Sequence, residues 1–104
     1  MANEYEVGFH DGMKILIKYN GKEQRIILPE DIEIIGEYAF AECNNLISVK
    51  LPEQLKTIEA HAFSDCTSLT CLNIPDYVNV IGWGAFRNCN GCRYSASNPE
   101  KHGS

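Results

Sequence analysis

Residues 29–51 read PEDIEIIGEYAFAECNNLISVKL, residues 52–74 read PEQLKTIEAHAFSDCTSLTCLNI, and residues 75–97 read PDYVNVIGWGAFRNCNGCRYSAS. These three rows of 23 residues align without a gap. A proline, an isoleucine, an Ala-Phe pair and a cysteine recur in the same columns, at Pro29, Pro52 and Pro75, at Ile35, Ile58 and Ile81, at Phe40, Phe63 and Phe86, and at Cys43, Cys66 and Cys89. Self-similarity at a fixed period of about 20 to 50 residues is typical of stacked repeats. The sequence therefore predicts a solenoid.

Each repeat contains two extended pieces. The run before each proline, such as residues 46–51, alternates apolar and polar residues at its end, which indicates a strand. Proline cannot donate a hydrogen bond to a strand ladder, so we expect these strands to end at the prolines. A second extended piece follows at residues 32–35, 55–58 and 78–81. The Ala-Phe-x-x-Cys segment after it is either a short helical turn or an irregular loop.

Eight columns of each repeat are expected to face the core, and in the first repeat they are Ile32, Ile35, Ala39, Phe40, Cys43, Leu46, Val49 and Leu51. The exceptions to apolar character are Ser95 and Ser97, both in the last strand, where Cys92 also replaces a leucine. This weak strand either forms a polar cap with the tail or meets another chain.

The first 28 residues do not match the repeat. Asn20-Gly21 lies between two β-prone runs and predicts a two-residue hairpin turn, and an earlier turn at Asp11-Gly12 completes a small meander. We expect this meander to cap the stack, with residues 26–28 starting the main sheet. The predicted single domain thus has a cap at residues 1–28, repeats at 29–97 (29–51, 52–74 and 75–97), and a flexible tail at 98–104.

Charge and hydrophobicity limit the classes of partner. The chain of 104 residues carries a net charge of −5, and residues 29–91 hold nine acidic side chains against three basic ones. Such a stack repels a phosphate backbone, so we expect no nucleic-acid partner. The apolar runs are too short for membrane insertion, and the first residues do not read as a signal peptide.

The five cysteines do not read as a disulfide framework, because three of them recur with the repeat and are expected to stack as reduced core residues. Cys89 and Cys92 form a lone Cys-x-x-Cys pair, which with Cys66 or His61 is a weak zinc or redox motif. Cys71 is expected to face outward and to react first with an alkylating reagent. No catalytic motif is recognisable, so we expect no enzyme and no cofactor.

The pattern Ile-Gly-x-x-Ala-Phe-x-x-Cys-x-x-Leu-x-x-Val-x-Leu-Pro resembles the BspA-like leucine-rich repeats, a bacterial and protist class, over residues 29 to about 92. The resemblance implies a right-handed solenoid with a parallel sheet on one face. It also implies a surface or secreted protein with roles in adhesion and protein binding. Glu59 departs from the pattern, where Gly36 and Gly82 match it. We expect a cytoplasmic location if the chain is complete as given, and a surface or secreted one if it is part of a longer protein.

The outward positions of the strands before the prolines form a neutral to basic face of the otherwise acidic stack. This face is predicted to bind a protein partner through seven residues, namely Arg25, Ser48, Lys50, Cys71, Asn73, Arg93 and Tyr94. One alternative is that this sheet is merely solvated. A second is self-assembly, in which a chain that is otherwise a monomer forms a weak homodimer through its open C-terminal repeat, and a third is glycan binding. Trp83 is expected to point outward on the convex side, and His61 to face solvent.

Overall fold

A computed structural model of the chain describes residues 4–89 and 93–95, with the backbone alone for Cys71 and for residues 93–95. The strands, in chain order, are β1 (Tyr5–His10), β2 (Met13–Tyr19), β3 (Arg25–Ile27), β4 (Ile34–Ile35), β5 (Ser48–Lys50), β6 (Thr57–Ile58), β7 (Cys71–Asn73), β8 (Val80–Ile81) and β9 (Arg93–Ser95). They form a five-stranded sheet in the order β1-β2-β4-β6-β8 and a four-stranded sheet in the order β3-β5-β7-β9.

The two sheets arise because every repeat contributes one strand to each of them. The strand that ends just before a proline enters the four-stranded sheet, and the extended piece after the proline enters the five-stranded sheet. All pairs between repeats are parallel, and Ile35, Ile58 and Ile81 lie opposite one another in successive coils. The prediction of a mainly-β repeat solenoid is therefore confirmed.

The third side of each coil is an irregular turn, which we call the turn side (residues 36–43, 59–66 and 82–89). Its turns repeat two backbone positions with positive φ, at Tyr38, His61 and Gly84 and again at Glu42, Asp65 and Asn88. Backbone hydrogen bonds join the turns from coil to coil, such as the one from the Phe40 N–H to the Ala62 oxygen at 2.7 Å. Of the two alternatives for the Ala-Phe-x-x-Cys segment, the structure therefore has the irregular loop. Among residues 4–89 and 93–95 there is no helix that could cross a bilayer.

The predicted core columns are buried in the first two repeats, except at Cys43, which is half-buried. Ile32, Ile35, Ala39 and Phe40 are fully inaccessible to solvent, and the equivalent residues of the second repeat are also buried. In the third repeat Ala85 is buried and Phe86 is partly exposed. Burial of these side chains supplies the main free energy of folding, because each large aliphatic or aromatic residue contributes about 1.5–3 kcal/mol when removed from water.

The N-terminal cap differs from the prediction in the position of its hairpin. β1 and β2 pair in antiparallel fashion around Asp11-Gly12, whose φ values are 52° and 79°. The predicted hairpin turn at Asn20-Gly21 is wrong, because β2 and β3 enter different sheets and Gly21 does not have a positive φ. The segment instead carries the chain from one sheet to the other, and a side chain at position 21 would meet the Tyr19 hydroxyl. As predicted, the residues after it start the main sheet, with Ile26 opposite Val49.

A column of aromatic rings runs from the cap into the repeats. It consists of five rings, namely Tyr5, Tyr19, Phe40, Phe63 and Phe86, and we call it the phenylalanine column. Phe63 stacks on Phe40 with the ring centroids 4.8 Å apart and the planes 4° from parallel, and on Phe86 at 5.5 Å. Tyr19 continues the column at 5.4 Å from Phe40. The cap therefore supplies a ring to the repeat core although its sequence does not match the repeat.

Candidate functional site

The outward residues of the four-stranded sheet form the candidate site, which we call the strand face. Arg25 lies opposite Ser48 and Ile27 opposite Lys50, while the residues between them on each strand are buried. Because side chains alternate between the two faces of a strand, residues of these outward columns point away from the core. Arg25 and Lys50 are exposed, and Ser48 is half-buried.

The last strand enters the sheet one residue out of step with the sequence repeat. Cys71 lies opposite Arg93 and Leu72 opposite Tyr94, a spacing of 22 residues instead of 23. The prediction that Tyr94 shares an outward column with Cys71 is therefore wrong. The shift places Tyr94, in place of Ser95, opposite the buried Leu72 in the backbone register. Arg93 lies in the outward column that also contains Arg25.

Four of the predicted residues, Arg25, Ser48, Lys50 and Asn73, line one shallow depression of about 550 Å³. The side chain of Ile27, which is 70% exposed, lines it as well. The side chains of Cys71, Arg93 and Tyr94 lie outside the described part of the chain. The prediction that Cys71 is the first thiol to react is therefore untested.

Arg25 and Lys50 are the cations of the strand face whose side chains the structure describes. Within residues 4–89 neither Arg25 nor Lys50 makes a side-chain hydrogen bond or an ion pair. Elsewhere on the surface, Lys14 lies 2.9 Å from Asp31, and Lys56 pairs with Glu33. The ion pair with Lys14 lowers the pKa of the Asp31 carboxyl. The strand face thus offers two free positive charges to a partner of the opposite sign.

The three cysteines of the repeat form a column inside the stack. The Cys66 thiol donates to the Phe40 carbonyl at 2.9 Å, and the Cys89 thiol donates to the Phe63 carbonyl at 3.0 Å. The neighbouring thiols of Cys43 and Cys89, together with burial, raise the pKa of Cys66, while the neighbouring Cys66 thiol lowers the pKa of Cys43. None of these three cysteines forms a disulfide, and all three pack in or against the core.

The Cys-x-x-Cys pair lies only in part within the described residues. Cys92, the second residue of the Cys-x-x-Cys pair, lies outside the described residues. Among those that are described, no three His, Cys, Asp or Glu side chains are grouped so that they could hold a metal ion.

Sequence reasoning missed a row of rings on the turn side, which we call the surface ring row (Tyr38, His61 and Trp83). The imidazole of His61 stacks on the Tyr38 ring with the centroids 4.9 Å apart and the planes 10° from parallel. Trp83 meets His61 edge-on at 5.2 Å. Trp83 is exposed, as predicted, while His61, predicted to face solvent, is half-buried between two rings. Tyr38 and His61 occupy one column and Trp83 the column before it, so no single column of the alignment contains all three rings.

A family model for the BspA type leucine rich repeat region (6 copies) matches residues 18–100. This match covers the repeats together with the end of β2 and all of β3. No curated protein sequence gives a significant match to the chain.

Solved leucine-rich repeat structures share the fold. A leucine rich cell surface protein from Faecalibacterium prausnitzii A2-165 is 28% identical with a TM-score of 0.80, and the alignment covers 91% of this chain and 29% of that one. A leucine-rich repeat protein from Bacteroides ovatus ATCC 8483 is 24% identical with a TM-score of 0.81, covering 97% and 30%. One from Bacteroides capillosus ATCC 29799 is 23% identical with a TM-score of 0.66, covering 94% and 97%. The chain thus spans about three tenths of the length of the first two proteins.

Proposed function

Because this chain belongs to the BspA-type leucine-rich repeat family, whose model matches residues 18–100, we propose that it is a non-enzymatic module that binds a protein partner through the strand face. Leucine-rich repeat proteins are typically interaction or surface proteins. Stacked repeats suit this role, since each coil contacts only its neighbours and the outward residues can vary while the core columns stay fixed.

The observation that carries the proposal is the pair of free cations on the strand face. Arg25 and Lys50 are exposed and lack ion-pair partners within residues 4–89, in a chain whose net charge is −5. The exposed side chain of Ile27 lies opposite Lys50 and adds apolar area. A partner that fits this face presents carboxylates around an apolar contact. Ser48, Cys71, Asn73 and Arg93 complete the proposed binding surface.

The setting we propose for this binding is adhesion at a cell surface. It is supported by the Faecalibacterium prausnitzii relative, which is described as a cell surface protein and is 28% identical to this chain. The partner is then a protein that is accessible outside the cell.

The test is an affinity capture with three baits, using surface extract and lysate of the source cells. They are wild type, the double variant Arg25→Glu and Lys50→Glu, and a control with Lys22→Glu and Arg87→Glu, which changes the net charge equally at exposed sites off the strand face. We expect wild type and control to retain the same protein and the strand-face variant to lose it. The purified pair should bind at least about tenfold more weakly when both charges are reversed, and wild-type binding should weaken with salt. Equal retention by all three baits would refute the strand face as the site.

Self-assembly is a second candidate, supported by the open edges of both sheets. Among the described residues β8 and β9 each have a strand on one side only. Such an edge accepts a further strand, whether from following repeats or from another copy. Light scattering over a hundredfold range of concentration tests it: a rise in mass with concentration supports pairing, and a constant monomer mass excludes it.

A further inference from the structure

The turn side carries a compact grid of nine residues with an unusual composition. Each coil contributes three consecutive residues, at 36–38, 59–61 and 82–84, and equivalent residues lie side by side in neighbouring coils. The grid contains the surface ring row, two glutamates and four small residues, namely Gly36, Ala60, Gly82 and Gly84. Tyr38 and Trp83 remain 51% and 64% exposed. Large rings therefore stand on the surface with little side-chain bulk between them.

A small residue of the third coil leaves space for one of the rings. A Cβ atom at Gly84 would lie 2.8 Å from the Cε1 atom of His61, so the imidazole occupies the space that a side chain would take. His61 and Tyr38 both adopt φ of 60°, a conformation that bulky residues rarely adopt. The space at Gly84 and the ring contacts thus arrange the three rings as one row on the surface.

Two carboxylates belong to the grid, one in its first coil and one in its second. Glu37 occupies the same column as Trp83, with Ala60 between them, and Glu59 accepts a hydrogen bond from the Glu37 N–H at 3.2 Å. Neither carboxylate has an ion-pair partner within residues 4–89. At the first coil, the ammonium group of Lys18 donates to the Tyr38 carbonyl at 3.4 Å. The end of the grid near Trp83 is therefore aromatic and free of this lysine.

We propose that this grid is a second binding site, which takes the cationic side chain of a lysine or an arginine on a partner protein. Cations are attracted to the face of an aromatic ring, most strongly to tryptophan, and carboxylates next to the ring strengthen that attraction. The site has the opposite charge preference to the strand face. The two sites therefore select different segments of partners, and the grid does not depend on the proposed role of the strand face.

The chain offers a direct probe, because Trp83 is its single tryptophan. We would titrate the protein with tetra-arginine and follow tryptophan fluorescence, with tetraglutamate and a neutral chitin oligosaccharide as comparison ligands. The test variant is Glu37→Gln with Glu59→Gln, and the control is Glu30→Gln with Glu53→Gln, two exposed acids away from the grid. Both double variants change the net charge by the same amount.

We expect tetra-arginine to produce a saturable change in wild type and control, and to bind the test variant at least about threefold more weakly, because one exposed and one half-buried charge are removed. Calorimetric titration of Trp83→Ala should show a further loss. Equal binding by test and control variants would overturn the proposal, as would equal responses to the basic and acidic peptides. A saturable response to the oligosaccharide alone would also overturn it and identify a sugar site instead.

Discussion

Truncating Phe63 to alanine should be among the most damaging single changes to the stack. The ring is fully buried and stacks on Phe40 and Phe86 at 4.8 and 5.5 Å. Removing a buried phenylalanine side chain costs about 3–5 kcal/mol, and the loss of two ring pairs at about 0.5–1.5 kcal/mol each favours the upper half of that range. A domain of this size is stable by about 5–15 kcal/mol, so we expect a folded but weakened protein whose Tm falls by about 15–30 °C.

The matched control is Phe9→Ala, the same chemical change at a ring that is 73% exposed, which should alter stability by no more than about 0.5 kcal/mol. Urea denaturation would be followed both by far-ultraviolet circular dichroism and by the fluorescence of Trp83, since coinciding transitions justify a two-state free energy. A loss below about 1.5 kcal/mol for Phe63→Ala, or one equal to that of Phe9→Ala, would refute the view that the phenylalanine column holds the coils together.

Three further outcomes follow from the structure. Burial raises the pKa of the Tyr19 hydroxyl in the folded protein. The stability that this neutral hydroxyl contributes is therefore complete below about pH 10, the pKa in the unfolded chain, and is lost as the pH rises through the folded pKa. Tyr19→Phe should reduce the resulting fall of the urea midpoint at alkaline pH. Gly82→Ala should lower stability by about 1–3 kcal/mol, because its Cβ would overlap the backbone of the preceding coil, whereas Gly36→Ala has a closest contact of 3.0 Å and should cost less. Iodoacetamide should modify Cys43 faster than Cys66 in the folded protein, because only Cys66 is fully buried; equal rates resolved by mass spectrometry would contradict the column.

Much of the fold could be predicted because the repeat period ties local patterns to tertiary contacts. Once Ile35, Ile58 and Ile81 are known to share a column, both their burial and their parallel pairing follow. The prolines gave the ends of the strands for the same reason, since a residue without an N–H cannot continue a ladder. The outward columns of the strand face then follow from the two-residue alternation of strands.

The sequence-based predictions were wrong or incomplete where the repeat period does not determine the structure. Asn20-Gly21 has the composition of a hairpin turn, but a turn signal is local and does not show which sheet the next strand joins. The one-residue shift of β9 is likewise not visible in an alignment without gaps, because it is set by the backbone pairing of β9 with β7. The surface ring row crosses two columns, and ring contacts of this kind depend on side-chain directions that spacing does not determine.

The antiparallel hairpin of β1 and β2 indicates the order in which the coils fold. Its partners are close in sequence, so it can close within about 1–10 μs, whereas every other strand pair joins residues about 19 to 23 positions apart. Once formed, it presents Leu16 and Tyr19 to the first coil, and Leu16 pairs with Ile35. A slip of one residue there would turn every inward side chain of the next strand toward water. We therefore expect the hairpin to act as a template that sets the register in which each later coil is laid down.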